Sequence, residues 1–320
     1  MLYKKIRRYL SFIKINLKKK KINKILSEIL PKNLCVDAGA SYYEHSKWFI
    51  FLNSINTTYI SFDPNAKNLE YIKHWYWKSK IIKFGLPLWS NKTLRPFYIT
   101  NGESGSSLFK PFINKNIAVR YKYNNEKYLF PYKKKNVATT TLDILLKKFA
   151  EPIFLKIDTQ GSELEILKGA IKLLKSKKIL GLEIESSLLH SPMYLGSSKF
   201  WEIVKFLENL GYELIDLKKI DVASYFKYKI NSNKIPNECD ATFVLNQKNI
   251  YSLDIEKKIL ILSFFISYNL IEEAIIFIEN NNELKKFFDK KKYGYSKFLQ
   301  LLMQLLQLVI KSAIAITQIV

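Results

Sequence analysis

Short apolar runs alternate with stretches of helical spacing from Leu34 to about Leu217, the rhythm of βαβ units in a parallel sheet covered on both faces. Leu34-Cys35-Val36 predicts the first strand, residues 47–55 a helix and residues 58–62 the second strand, followed by a helix over 65–77 led in by Pro64. Between Leu86 and Thr139 the rhythm breaks. Pro87, Gly102, Gly105, Pro111 and Pro131 punctuate aromatic and β-branched residues there, which predicts strands and loops inserted over one edge of the sheet. Alternation resumes with a helix over 140–148, a buried strand over 152–157, a helix over 162–174 and a strand over 179–184. Ser162 and Glu165 have the spacing of a capping box at the start of that helix. A helix over 199–210, a strand over 213–217 after Gly211 and the apolar run 241–245 complete a doubly wound α/β sheet.

Both ends of the chain read as helical. Leu2, Ile6, Leu10, Ile13 and Leu17 recur at spacings of three and four, so residues 2–17 predict an amphipathic helix with Lys4, Lys5, Arg7 and Arg8 at its start. Lys14 and Lys18 to Lys21 interrupt the apolar residues and leave no secretory signal core. A basic helix of this kind suits an anionic membrane surface or a docked position on its own domain. Residues 1–30 are thus an N-terminal arm, 31–250 the main domain and 251–320 a helical extension. The last stretch, 298–320, is apolar enough to raise a membrane span, but Gln300, Gln304, Gln307 and Lys311 line one face. That amphipathic face points to the chain's own core or a partner helix, including a second copy of the chain.

Composition narrows the class. A chain of 320 residues with 48% hydrophobic and 14% aromatic residues has ample material for a packed interior. The net charge of +24 raises nucleic-acid binding. Only Arg7, Arg8, Arg95 and Arg120 are arginines, however, and planar bidentate recognition of phosphates and bases favours arginine, so the charge reads as lysine-rich composition. Cys35 and Cys239 form no Cys-x-x-Cys pair, and His45, His74 and His190 make no zinc-type spacing with them, which fits a reducing, cytoplasmic setting and assigns no metal. The basic N-terminal arm leaves open a place on the inner face of a membrane.

Val36-Asp37-Ala38-Gly39-Ala40-Ser41 turns the first strand into a helix, and Asp63 ends the second strand. In a doubly wound sheet, ligands bind at the carboxyl ends of strands, and an acid at the end of the second strand suits a ribose diol. A dinucleotide needs three glycines against its pyrophosphate, but Gly39 is the only glycine between Cys35 and Phe84. A nucleoside without phosphates fits better. A strand-to-helix turn with an incidental aspartate is the competing reading of this motif.

The segment Phe154-Leu155-Lys156-Ile157-Asp158-Thr159-Gln160-Gly161-Ser162-Glu163-Leu164-Glu165-Ile166-Leu167-Lys168-Gly169-Ala170 resembles the FkbM-type methyltransferases, whose stretch reads close to F-L-K-I-D-V-E-G-A-E-L-E-V-L-K-G-A. The resemblance continues in order through Val36 to Ala40, Phe62-Asp63-Pro64-Asn65, Ser106-Ser107-Leu108, Thr141-Leu142-Asp143, Glu183-Ile184-Glu185, Gly211-Tyr212 and Asp240-Ala241, covering about residues 34–245. It implies a Rossmann-like class I methyltransferase sheet and S-adenosyl-L-methionine as cofactor. Asp37, Gly39, Ala40 and Ser41 are then expected at the methionine end and Asp63 at the ribose. Two departures stand out. Ser41 and Tyr43 replace the usual asparagine and second glycine, and Gln160 replaces the usual glutamate.

Methyl transfer to oxygen needs a group to take the acceptor's proton, and Asp158, Glu185 and His190 follow the fourth and fifth strands. Asp158 is the leading candidate. Each has a structural alternative: Asp158 as a helix cap, Glu185 as the partner of a lysine, His190 as a surface residue. The resemblance implies a hydroxyl acceptor on a sugar or glycan precursor, and Tyr98, Phe109, Phe112 and Tyr121 are candidates for a stacking wall or for an ordinary hairpin surface. A nucleic-acid methyltransferase, a non-catalytic binding module and a membrane-associated scaffold are the competing readings.

Overall fold

The computed structural model describes residues 2–41, 45–70, 72, 77–112, 130–188, 194–221 and 236–317. Its strands are β1 (Asn33–Ala38), β2 (Thr57–Phe62), β3 (Lys80–Phe84), β4 (Leu94–Ile99), β5 (Lys133–Ala138), β6 (Ile153–Ile157), β7 (Ile179–Ser187), β8 (Tyr212–Asp221) and β9 (Pro236–Leu245). Seven of them form one sheet in the order β3-β2-β1-β6-β7-β9-β8, and β4 pairs with β5 in a separate antiparallel ribbon. β1, β2, β3, β6 and β7 pair in parallel, while β9 runs antiparallel to both β7 and β8. The chain builds outward from β1 to β3 and then returns to lay β6 on the other side of β1. The crevice between β1 and β6 is therefore the topological switch point, where such sheets bind ligands.

β1 is buried at all six positions and β6 at four of five, as a strand covered on both faces requires. β3 is different. Lys80-Ile81-Ile82-Lys83-Phe84 is short, lies at the sheet edge and carries two lysines, a pattern that protects an edge and hides the strand from hydrophobic periodicity.

Several helices are shorter than periodicity predicts. The 65–77 stretch holds a helix only over Ala66–Glu70 within the described residues, and 47–55 resolves into a tight turn, Ser46–Trp48, followed by Phe49–Leu52. The helix expected over 162–174 is broken into Glu163–Lys168 and Ile171–Lys175. Trp89 of the inserted region presses on the break, because its carbonyl oxygen lies 2.2 Å from where a Cβ on Gly169 would stand. The capping box is also replaced. Ser162 makes no capping bond, and Glu163 closes the turn through Oε1, which accepts from Thr159 N–H (3.0 Å), Thr159 Oγ1 (3.1 Å) and Gly161 N–H (3.0 Å). Glu165 instead accepts from Ser90 Oγ at 2.6 Å.

Both terminal segments share the core of the sheet. On the face carrying Phe154, the Phe264 ring of the helix Ile255–Ser267 stacks at 4.9 Å and fills the space that a side chain on Gly181 would need. Phe51 packs on the same Phe154 ring at 4.9 Å. Ile22, Ile25 and Leu26 of the first helix, Leu2–Ile29, are buried, and Lys18 donates to Gln304 of the last helix, Tyr295–Thr317. Phe298, Leu302 and Leu305 of that last helix are buried, so its apolar stripe meets the chain's own core. Among the described residues no helix is long and apolar enough to cross a membrane. The inserted region makes a small core of its own from Trp89, Phe97 and Leu108, with the Arg95 guanidinium 3.9 Å over the Trp89 ring.

Candidate active site

Strand register places the chemistry. Asp37 of β1 lies beside Lys156 of β6, and Lys156 beside Glu183 of β7, so the three side chains form one row on one face. Lys156 Nζ is 3.4 Å from Asp37 Oδ1 and 3.3 Å from Asp158 Oδ2, which joins this row to the next position up β6. Tyr59 donates its hydroxyl to Asp37 Oδ2 at 2.7 Å. Glu183 pairs with Lys47 and stands 3.4 Å from His45 Nε2. Tyr268, just past the helix Ile255–Ser267, covers the row: its hydroxyl accepts from Trp48 Nε1 at 3.2 Å and lies 3.4 Å from His45.

Burial and neighbouring charge set the protonation of this network. Burial raises Asp37 above the usual carboxylate range, against Lys156 and the Tyr59 bond. Burial works to lower Lys156, but the Asp37 and Asp158 carboxylates outweigh it and hold the ammonium charged. His45 is kept well below the usual imidazole range by burial and by Lys156 and Lys47, and so is neutral.

At the carboxyl ends of the strands this face opens into a cleft lined by Gly39, Ser41, Asp63, Leu86, Asp158 and Gln160, among others. Gly39 makes the end of β1 fit. With φ at +88°, its N–H donates to Phe62 O at 2.9 Å, and a Cβ would stand 1.8 Å from the Asp158 carbonyl oxygen. Asp63 is 6% exposed and accepts from Asn65 N–H at 2.6 Å and Asn68 Nδ2 at 3.2 Å. Burial pushes its carboxyl up to about 6 against those two bonds.

Gln160 links the cleft to β7. Its Nε2 donates to Asp158 Oδ1 at 2.9 Å and Glu185 Oε1 at 3.2 Å, while its Oε1 accepts from Tyr194 OH at 3.1 Å. The residue sits at φ +58°, left-handed backbone that is uncommon outside glycine, and its carbonyl is held by Ser107 Oγ at 2.7 Å. Glu185 is pushed up to about 9 by burial and the nearby Asp158 charge, so it is a neutral acid at physiological pH. Substituting glutamate here would place a third carboxylate between Asp158 and Glu185. Gln160→Glu is expected to lower stability by about 1–3 kcal/mol, the cost of leaving buried acceptors without a donor. A denaturant titration against wild type checks this.

The residues singled out by sequence thus divide. Gly39, Ser41, Asp63 and Asp158 line the cleft, and Glu185 lies beside it behind Gln160. Asp37 and Ala40 stand behind the wall, each 1% exposed, with Asp37 turned to Tyr59 and Lys156. His190, Tyr43 and Tyr121 lie outside the described residues. Sequence reasoning passed over Lys156, the one charged side chain inside an apolar β6. It also missed the amide of Gln160 as a bridge.

The cleft fits an adenosyl donor. Ser41 Oγ and Ser162 Oγ are buried at its wall without protein partners, so they are available to a ligand. Asp63 would hold the ribose diol, Phe62, Pro64, Leu86 and Leu88 would flank the adenine, and Gly39 and Ser41 would meet the methionine end.

A parallel sheet with one antiparallel strand slotted between its last two members, and a cleft at the switch point, defines the class I methyltransferase fold. Residues 37–214, more than half of the chain, match the methyltransferase FkbM domain. The chain belongs to that family. Among solved structures it is similar to an rRNA methylase from Streptococcus thermophilus, at 12% identity and TM-score 0.30 over 71% of this chain and 96% of that one. It is also similar to an antibiotic-related methyltransferase, at 17% identity and TM-score 0.27 over 71% and 94% of the two chains. A Streptococcus pneumoniae protein in complex with S-adenosyl-L-methionine matches at 9% identity and TM-score 0.26 over 92% and 98%. No curated protein gives a significant match.

Proposed function

We propose that the chain binds S-adenosyl-L-methionine in the cleft between β1, β2 and β6 and transfers its methyl to a hydroxyl of a sugar or glycan precursor. One observation carries this reading: the Asp158–Gln160–Glu185 group is placed on the β6–β7 side of a cleft whose β1–β2 side offers Gly39, Ser41 and Asp63.

The donor, when bound, supplies a methyl on a positively charged sulfur. The acceptor hydroxyl would lose its proton to Asp158, the carboxylate that lines the cleft at the end of β6. Positioning does most of the work in such an in-line displacement. Lys156 and Gln160 fix the Asp158 carboxylate from two sides and leave it 28% exposed toward the cleft. Glu185, being neutral, adds no second charge beside the base.

Incubation with methyl-labelled donor and a panel of polyhydroxyl glycans tests the reaction class. The expected product is a label that survives both acid and alkali, as a methyl ether does. Label in an alkali-labile ester or on nitrogen would contradict transfer to a hydroxyl.

A further inference from the structure

Gly39, Ala40 and Ser41 open the loop that follows β1, and the near end of that loop is fixed: the N–H groups of Gly39 and Ala40 donate to Phe62 O at 2.9 and 3.1 Å. Its far end has little to hold itself in place. His45, four residues on from Ser41, leads into the tight turn Ser46–Trp48 and then the four-residue helix Phe49–Leu52, and neither element has a side-chain cap at its start. A helix of one turn is unstable by itself, so its position is set by what packs against it.

The packing comes from outside the domain matched over residues 37–214. The Tyr268 hydroxyl accepts from Trp48 Nε1 at 3.2 Å and lies 3.4 Å from His45 Nε2, so one atom of the C-terminal extension meets the residues at both ends of the turn. Lys47 has its Nζ 4.9 Å over the Tyr268 ring and pairs with Glu183 of β7. Tyr268 is itself held: it is buried, its ring packs on Phe264 at 4.3 Å, and Phe264 stacks on Phe154 of β6. A phenylalanine would fill the same space. The buried hydroxyl is what ties the extension to the turn.

We infer that Tyr268 is a positioning residue for donor binding: by bonding Trp48 beside His45 it holds the far end of the loop where Gly39 and Ser41 can meet the donor's methionine end. The inference rests on the methyltransferase reading and adds the C-terminal extension to the donor site. Loss of the buried bond leaves the seated loop a smaller share of the population, and donor affinity falls by that share.

Calorimetry with S-adenosyl-L-methionine on full-length protein, at a temperature where every variant is folded by circular dichroism, tests this. Tyr268→Phe keeps the ring and its packing and is expected to weaken binding about three- to tenfold. Trp48→Phe removes the other half of the bond and is expected to act alike, with the double variant no more than about twofold weaker than the worse single, since both changes break one contact. Phe288→Leu, in the helix Asn282–Asp289, disturbs the packing of the extension where Phe288 stacks on Phe298 at 4.3 Å, away from the turn. It is expected to lower the unfolding temperature while donor affinity stays within about twofold of wild type. Tyr268→Phe binding like wild type, losses that add fully in the double variant, or an equal loss in Phe288→Leu would overturn the inference. The two readings fail separately: a folded wild type that binds no donor contradicts the methyltransferase reading, whereas wild type and Tyr268→Phe that bind donor alike contradict only the role of Tyr268.

Discussion

Gly39→Ala is expected to abolish measurable donor binding and to destabilise the chain by at least about 3 kcal/mol, since left-handed backbone and a backbone clash act together. The added methyl would stand 1.8 Å from the Asp158 carbonyl, a backbone atom that cannot rotate away. Relief requires the end of β1 to separate from β6, which would break the Asp158 N–H to Ala38 O bond of 2.9 Å and displace Asp158 itself. Gly39 is therefore demanded by the fit of two strands as well as by clearance for a ligand. Chemical denaturation and donor calorimetry on the same sample check both halves. Near-wild-type stability would show that β1 and β6 do not approach as described.

Asp158→Asn is expected to lower turnover by about 10²–10⁴, the usual contribution of a positioned proton acceptor, while donor affinity changes less than about threefold. The amide preserves shape and can still meet Lys156 or Gln160, but it takes no proton. Glu185 cannot substitute for it at neutral pH, because burial and its neighbours keep it protonated up to about 9. Single-turnover transfer with saturating donor separates the chemical step from binding. An equal loss in donor affinity would place Asp158 in the donor site instead of on the reacting side.

How far the sequence revealed this site depended on the kind of interaction. Asp63 and Asp158 were legible because each follows an apolar run that could only be a strand, and strand ends in a doubly wound sheet carry ligands. Asp37 looked equivalent, but it lies one step back along β1, in register with Lys156, and register is a tertiary fact that one-dimensional spacing does not contain. The same limit hid the Gln160 bridge, which joins two carboxylates 25 and 2 positions away. Helix lengths were overstated where tertiary contacts intervene, as at Gly169 against Trp89. The composition change near residue 250 marks where the βαβ rhythm stops, yet Phe264 and Tyr268 beyond it complete the face on which Asp37 and Lys156 sit. Periodicity finds elements, and it does not show which of them share a core.

The central claim, a donor held by Asp63 at the end of β2, is tested most directly by S-adenosyl-L-methionine calorimetry on wild type and Asp63→Ala between pH 5 and 7.5. The account predicts that wild type binds, that removing the carboxylate weakens binding by about one to two decades for a charged hydrogen bond, and that the wild-type affinity falls about tenfold per unit below the carboxyl's ionisation. With that carboxyl raised by burial to about 6, the ionised acceptor is present above this pH and lost as pH falls through it, so the loss should appear between pH 6 and 5 and be absent from the variant. Equal affinities for the two proteins, with no pH dependence in either, would contradict the assignment and place the donor elsewhere.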